Sequence, residues 1–265
     1  MLDSPLLVYG ANGYTGQLIA ELSTSYGLAP QLAGRNEGSI TNLALRYNLP
    51  YSVFSLDNKE EIDNALRGKK VLINAAGPFS RTAKPLVESC LKNGVHYLDI
   101  TGEIEVFEMV KTYHQQALEK GLTLLPGSGF DVVPTDCLAL FLKNELPDAT
   151  HLQLAFTSVG GGLSHGTATT MVEGLGRGGA ARINGQIVKQ PLGKKGMWID
   201  FGESKRFVMS IPWGDVSTAF YTTGIPNIDV YTGIDPKVYK LLKSQKIVQL
   251  DFAEKRGAKL YKKEN

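Results

Sequence analysis

A short apolar run, Leu6-Leu7-Val8-Tyr9, leads directly into Gly10-Ala11-Asn12-Gly13-Tyr14-Thr15-Gly16 and then into a helical pattern from about Gly13 to Tyr26. Three glycines at G-x-x-G-x-x-G spacing between a strand and a helix constrain the backbone more than any other stretch of the chain. Gly10 permits the tight turn, Gly13 lets the backbone approach a pyrophosphate, and Gly16 lets helix and strand pack closely. The helix N-terminus adds unpaired N–H donors and a partial positive charge. Such a triplet carries weight when it sits between the first strand and first helix of a βαβ series, so the rest of the chain decides its meaning.

That series is present. Apolar runs at Pro30–Ala33, Tyr51–Leu56, Lys70–Ala75, Val95–Ile100 and Leu122–Leu125 alternate with helical patterns at Ser39–Tyr47, Glu60–Leu66, Lys84–Asn93 and Val106–Lys120. Alternation of this kind predicts an α/β fold, a Rossmann-type doubly wound parallel sheet over residues 1–144. Pro134 suits the first turn of a helix reaching about Asn144. Beyond it the texture changes. His151–Ser158 alternates apolar and polar residues like an antiparallel strand, and strand-like runs follow at Met197–Phe201, Phe207–Ile211, Ala219–Tyr221 and Asn227–Tyr231. We read 145–235 as a second, α+β domain for substrate. Residues 236–265 read as a basic helical tail opened by Asp235 as N-cap and Pro236, with Val238, Leu241 and Leu242 on one face.

Composition narrows the function classes. The 28 Lys+Arg and 26 Asp+Glu give net +2, which excludes the concentrated basic surface of a dedicated nucleic-acid binder. The balance is uneven along the chain: residues 236–265 carry nine basic and three acidic side chains, leaving the body acidic. Two cysteines, Cys90 and Cys137, exclude a disulfide scaffold and point to a reducing, cytoplasmic setting. The start lacks the basic region of a secretory signal. The uncharged stretch Ala149–Val172 is too rich in glycine and polar residues for a membrane span. The four histidines stand far apart and no C-x-x-C is present, so no metal is expected. No G-x-S-x-G elbow appears either.

The second strand indicates which dinucleotide would fit. It ends Ala33-Gly34-Arg35-Asn36, with no carboxylate before Glu37 to accept a ribose 2′-hydroxyl. A guanidinium instead matches a 2′-phosphate through bidentate, charge-assisted hydrogen bonds. The expectation is NADP(H) over NAD(H), held by Gly10, Asn12, Gly13, Tyr14, Thr15, Gly16, Arg35 and Asn36. Ala76, Gly77, Pro78 and Phe79 follow the fourth strand, where small residues let ribose and pyrophosphate lie against backbone. After the fifth strand, Asp99-Ile100-Thr101-Gly102-Glu103 brings two carboxylates and a hydroxyl to the same edge, with Thr101 and Glu103 divided between a site role and a helix cap.

GANGYTG, AGRN, NAAGPF, HYLDITGE and PGSGFDVVPTD, in that order, resemble the saccharopine dehydrogenase-like oxidoreductases. The tyrosine-threonine form of the glycine loop is similar to the branch that contains trans-acting enoyl reductases, and IPWGDVSTAFYTTGIPNIDVY resembles that branch's second domain. The resemblance implies a nicotinamide-dependent oxidoreductase with Gly10, Gly13, Tyr14, Thr15 and Gly16 at the phosphates and Arg35 near the 2′-phosphate. It implies Ala76–Phe79 along the ribose and nicotinamide. Family members usually continue well past residue 265, so it also implies a C-terminally short member.

For proton transfer two residues stand out. Asp131, in Gly127-Ser128-Gly129-Phe130-Asp131 after the sixth strand, is one candidate acid. His165, in Ser164-His165-Gly166-Thr167, is the other, with an intrinsic pKa suited to neutral pH. The leading reading is a reductase transferring hydride from NADPH to an enoyl or carbonyl group of a small acyl or lipid-like substrate. The alternative is an NADP(H)-binding sensor or scaffold with little turnover. Expected partners are a small-molecule substrate and no nucleic acid. A homodimer, and a weak contact of the basic tail with an anionic membrane, are the further partners considered.

Overall fold

The computed structural model describes residues 4–158, 160 and 178–244. These divide into two compact units, one holding 4–148 and 213–224, the other the remainder. The first unit is a six-stranded parallel sheet with strand order 3-2-1-4-5-6. In chain order it runs β1 (Leu6–Tyr9), α1 (Tyr14–Ser23), β2 (Gln31–Gly34), α2 (Glu37–Tyr47), β3 (Tyr51–Val53), α3 (Lys59–Leu66) and β4 (Val71–Asn74). It continues with α4 (Phe79–Asn93), β5 (His96–Asp99), α5 (Ile104–Lys111), α6 (His114–Glu119), β6 (Leu124–Leu125) and α7 (Val133–Glu145).

The strands read as apolar runs because both faces are covered. Successive side chains of β1 point to opposite faces. Leu7 and Tyr9 join Leu72, Tyr97 and the α3–α4–α5 side chains Ile62, Leu66, Leu86, Val87, Val106 and Val110. Val8 joins Leu32, Ile40, Leu43 and Ala44 on the other face. Each fully buried leucine in this arrangement stabilises the fold by about 1.5–3 kcal/mol. Two core layers of this kind fix the carboxyl ends of all six strands along one edge, where the connecting loops meet.

Three expectations for this unit need correction. The helix expected from Lys84 begins at Phe79, and Pro85 lies inside it. The single helix expected over Val106–Lys120 is two, divided at Thr112, whose hydroxyl donates back to the Met109 carbonyl (2.7 Å). Ala219–Tyr221, expected as a strand of the second domain, lies in helix α8 (Asp215–Thr223). Buried Val216, Ala219 and Thr223 follow a helical period there. Because α8 packs against α5 and α7, the segment Trp213–Gly224 groups with the first unit, where the sequence division 145–235 had put it in the second.

The second unit is a six-stranded sheet. It comprises β7 (His151–Phe156), β8 (Gly179–Ile183), β9 (Gln186–Gln190), β10 (Gly196–Asp200), β11 (Lys205–Ile211) and β12 (Asn227–Gly233). β12 is central, flanked on one side by β7 and on the other by β11 and β8. β7 has the expected alternation, with Leu152 and Leu154 buried, but it pairs parallel to β12. The β8–β9 hairpin went unread in the sequence; it turns on Asn184 (φ 49°) and Gly185 (φ 79°). Residues 236–244 are helical and Asp235 Oδ1 accepts from the Lys237 N–H (2.6 Å), as the N-cap reading expected. His165 and residues 245–265 of the tail lie outside the described residues.

Candidate functional site

At the end of β1 the chain turns sharply through Gly10, whose φ of 78° suits glycine. The N–H groups of Gly10 and Ala11 both donate to the Ala33 carbonyl (2.8 and 3.1 Å), tying the loop to β2. A Cβ on Gly10 would lie 2.7 Å from the backbone nitrogen of Ala76, so the loops after β1 and β4 touch backbone to backbone. Gly16 is equally constrained on the inner side, where a Cβ would overlap the Gly10 carbonyl oxygen. Gly13 is the N-cap of α1, no side chain caps this helix, and its first turn holds no acidic residue. The N-terminus of α1 is therefore left to an external anion, with Tyr14 exposed and Thr15 half-buried beside it.

The next loop supplies the cation. Arg35 is exposed directly after β2, and its charge lies close enough to Tyr9 to oppose the upward pull of burial on the Tyr9 hydroxyl. Asn36 caps α2, its Oδ1 accepting from the Ser39 N–H (2.9 Å), which orients the loop. Beside it, Asn12, Gln17, Ser39, Asn42, Leu43 and Arg46 line a shallow polar cleft of about 260 Å³. Gln17 Nε2 donates to the Asn12 carbonyl (2.8 Å) and closes one wall.

On the other side of the glycine loop, Ala76, Gly77, Pro78 and Phe79 run from β4 into α4, with a cis Gly77–Pro78 bond. Their support is a polar network beneath the strand ends. Asn74 Oδ1 accepts from the Ala76 N–H (3.0 Å), and the Thr82 hydroxyl donates to the Ala76 carbonyl (2.6 Å). Asn74 Nδ2 donates to the hydroxyls of Thr82 and Tyr97, and Tyr97 donates to Asp99 Oδ2 (2.7 Å). Asp99 Oδ1 accepts from the N–H groups of Thr101 (3.0 Å) and Gly127 (2.8 Å). Burial pushes the Asp99 carboxyl above the ordinary carboxylate range, an effect these hydrogen bonds only partly offset.

Glu103 resolves the two readings offered for it. Its carboxylate accepts from the N–H groups of Phe79 (2.8 Å) and Ser80 (3.0 Å), so it caps α4 rather than the helix that follows it in sequence. Thr101 Oγ1 accepts from the Glu103 N–H (3.1 Å) and aims it. This long-range cap also explains why α4 starts at Phe79.

Asp131 is brought to the same edge. A Cβ on Gly102 would lie 2.7 Å from Asp131 Oδ2, so the carboxyl rests on the Gly102 backbone beside Glu103. Burial raises its proton affinity. Sequence reasoning missed what fixes it there. The Trp213 indole N–H donates to the Asp131 carbonyl, and a Cβ on Gly214 would lie 2.6 Å from a Val132 methyl. Asp215, fully buried, accepts from the Thr135 hydroxyl (2.6 Å). A WGD tripeptide has no local pattern that announces such a partner. Among the described residues no group of three or more His, Cys, Asp or Glu is arranged to hold a metal ion.

Sheet order, glycine turn and an uncapped α1 beside Arg35 define a dinucleotide-binding domain of the Rossmann class. Residues 6–125 match the family model described as the saccharopine dehydrogenase NADP binding domain. Through that domain the chain is similar to the saccharopine dehydrogenase-like proteins. It is 26% identical over 202 residues to a saccharopine dehydrogenase-like oxidoreductase of Mus musculus, covering 67% of this chain and 47% of that protein. It is 30% identical over 209 residues to a lipid droplet localized protein of Caenorhabditis elegans, covering 72% and 49%. It is 29% identical over 183 residues to a putative trans-acting enoyl reductase of Mycobacterium tuberculosis, covering 64% and 44%. In fold it is similar to saccharopine dehydrogenase (L-Glu forming) from Saccharomyces cerevisiae, with a TM-score of 0.66 over 90% of this chain and 56% of that one at 11% identity. The chain spans about half the length of the curated relatives it matches.

Proposed function

We propose that the protein reduces an enoyl or carbonyl group of a small acyl or lipid-like substrate at the expense of NADPH. The observation that carries this reading is the uncapped N-terminus of α1, closed on one side by the Gly10–Ala76 backbone contact and flanked on the other by Arg35. Bound NADPH supplies the hydride. The N–H groups of Tyr14, Thr15 and Gly16 donate to the pyrophosphate oxygens, and Arg35 with Asn36 takes the 2′-phosphate. Asn12 borders the adenosine side. Ala76–Phe79, stiffened by Asn74, Thr82 and Glu103, present small and apolar surface to the ribose and nicotinamide.

Hydride arriving at a β-carbon or carbonyl carbon leaves negative charge that needs a proton. Asp131 is our donor: burial raises its proton affinity, so its acid form survives to higher pH than that of an exposed aspartate. Its contribution is present at low pH and declines as pH rises through that raised value. His165 remains the second candidate. We assign the protein to the cytoplasm; among the described residues no helix is long and apolar enough to cross a membrane. Exposed Val238 and Leu241, beside Lys237 and Lys240, would give the tail a weak contact with an anionic membrane surface.

The test is a panel of enoyl thioesters, ketones and imines offered with NADPH, followed by loss of nicotinamide absorbance at 340 nm (about 10-fold above background counts as turnover, a barrier change near 1.4 kcal/mol). Turnover of one class, lowered by Asp131→Asn, supports the reading. Tight NADPH binding with no turnover on any class favours the sensor alternative.

A further inference from the structure

Helix α7 is apolar on nearly every side, yet only one of its faces is covered. Thr135, Asp136 and Ala139 turn toward α8. Thr135 donates to Asp215 (2.6 Å), Asp136 accepts from Thr222 (2.7 Å), and Ala139 is fully buried. At 3.6 residues per turn the opposite side presents Val133, Cys137 and Phe141 in one row, with Pro134 and Leu138 in the next. All five are exposed, Leu138 by 52% and Phe141 by 61%, and exposed Leu140 and Leu142 flank them. A surface helix normally carries charged and polar side chains on its outer face. From Val133 to Leu142 this outer face carries no charge, because Asp136 is turned into the seam. Lys143, at the C-terminal end, is drawn back to the Pro147 carbonyl (2.7 Å).

The extent of this face fits a second copy of the chain. Its seven side chains, of roughly 100–150 Å² each and exposed by about half, present about 400 Å² of apolar surface. Homodimer interfaces are about 65% apolar, so two such faces correspond to about 1,200 Å² buried in total, the low end of the range for specific interfaces. An uncharged stripe gives a charged partner nothing to pair with, and it meets its own copy without repulsion.

We propose that α7 is the interface through which two copies of this chain form a reversible, twofold dimer, the helices crossing at Cys137. Cys137 is the smallest side chain of its row, so the backbones approach most closely there. The i, i+4 rows of each helix pack into the grooves of the other, with axes about 8–10 Å apart and a crossing angle near −50°. By symmetry the residue four places after Cys137 meets the one four places before it. Phe141 of each copy therefore covers the partner's Val133, a large side chain against a small one. The dimer requires nothing of the reaction proposed above.

Sedimentation velocity over a concentration series reads the dimer as a rise in mass from 28.8 kDa toward twice that value. Phe141→Glu should raise the dissociation constant roughly 100-fold or more, as a central aromatic anchor is lost from both sides. Leu138→Glu should act in the same direction. Both positions are exposed, so the variants should keep the far-UV circular dichroism of wild type. Cys90 is fully buried, which leaves Cys137 as the thiol open to a short bismaleimide. The reagent should link wild type into a covalent dimer. It should fail to link Phe141→Glu, in which Cys137 still takes N-ethylmaleimide. Wild type that stays monomeric at every concentration overturns the proposal: with Cys137 reactive the face is bare, and with Cys137 shielded another part of the same chain covers it. A dimer that survives both glutamate variants also overturns it, because the contact then lies elsewhere. So does a monomer that floats with phosphatidylcholine vesicles, because a lipid surface is then the occupant.

Discussion

Gly10→Ala tests the geometry of the glycine loop, and Gly27→Ala is its control. Both positions have positive φ, 78° and 68°. At Gly27 a Cβ meets nothing within 4 Å, whereas at Gly10 it falls 2.7 Å from both the nitrogen and the Cβ of Ala76. The left-handed conformation costs an alanine about 1–2 kcal/mol, and reduced freedom of the unfolded chain returns about 0.4–1 kcal/mol. Gly27→Ala should therefore destabilise by roughly 1 kcal/mol. Gly10→Ala incurs the same cost plus a collision with backbone that cannot rotate away, worth about 1–3 kcal/mol on the scale of overpacked cores. The total is about 2–4 kcal/mol, a sizeable part of a stability of about 5–15 kcal/mol. Urea titrations of the three proteins, read by far-UV circular dichroism, measure the difference directly. Gly10→Ala should also lose NADPH binding, and Gly27→Ala should retain it. Equal destabilisation by the two substitutions would refute the close approach of the β1 and β4 loops.

Other consequences follow from the same edge of the sheet. Glu103→Ala removes two charge-assisted bonds from the start of α4 and should cost about 2–3 kcal/mol; Glu103→Gln should cost less, and calorimetry distinguishes them. Asp215, lifted from 3.8 to about 7, is protonated more readily folded than unfolded. Its contribution of about 4 kcal/mol is complete below pH 4, is lost as pH rises through 7, and is flat above. Asp215→Asn should flatten the wild-type decline in stability between pH 4 and 7, and an unchanged slope would count against a neutral Asp215. Gly185→Ala should destabilise the β8–β9 turn by about 1 kcal/mol, since a two-residue turn of this kind needs positive φ at both centres; unchanged stability would contradict the turn.

What could be read from the chain without coordinates was what is local. A strand, a glycine turn and a helix occupy eighteen consecutive residues from Leu6 to Ser23, so their meaning is contained in one window. Asn184-Gly185 is equally local, and the dipeptide carries a hairpin signal of its own. The misread elements depend on distant partners. α4 begins five residues earlier than Pro85 suggests because Glu103, twenty-four residues after Phe79, caps it. α8 is nine residues between Gly214 and Gly224, too short for its period to compete with its β-branched and aromatic content. The cofactor half of the site was legible because backbone geometry dictates glycine. The anchoring of Asp131 was not, because Trp213, whose indole N–H donates to the Asp131 carbonyl, lies 82 residues further along the chain.

A paired titration with NADPH and NADH, repeated on Arg35→Asp, asks whether Arg35 selects the 2′-phosphate. A charge-assisted contact to the 2′-phosphate is worth about 1.5–3 kcal/mol, about 10- to 100-fold in Kd. Wild type should bind NADPH more tightly than NADH by that factor, and Arg35→Asp should lose it for NADPH while leaving NADH nearly unchanged. Equal affinities in wild type, or equal losses for both cofactors in the variant, would mean that Arg35 does not hold a 2′-phosphate.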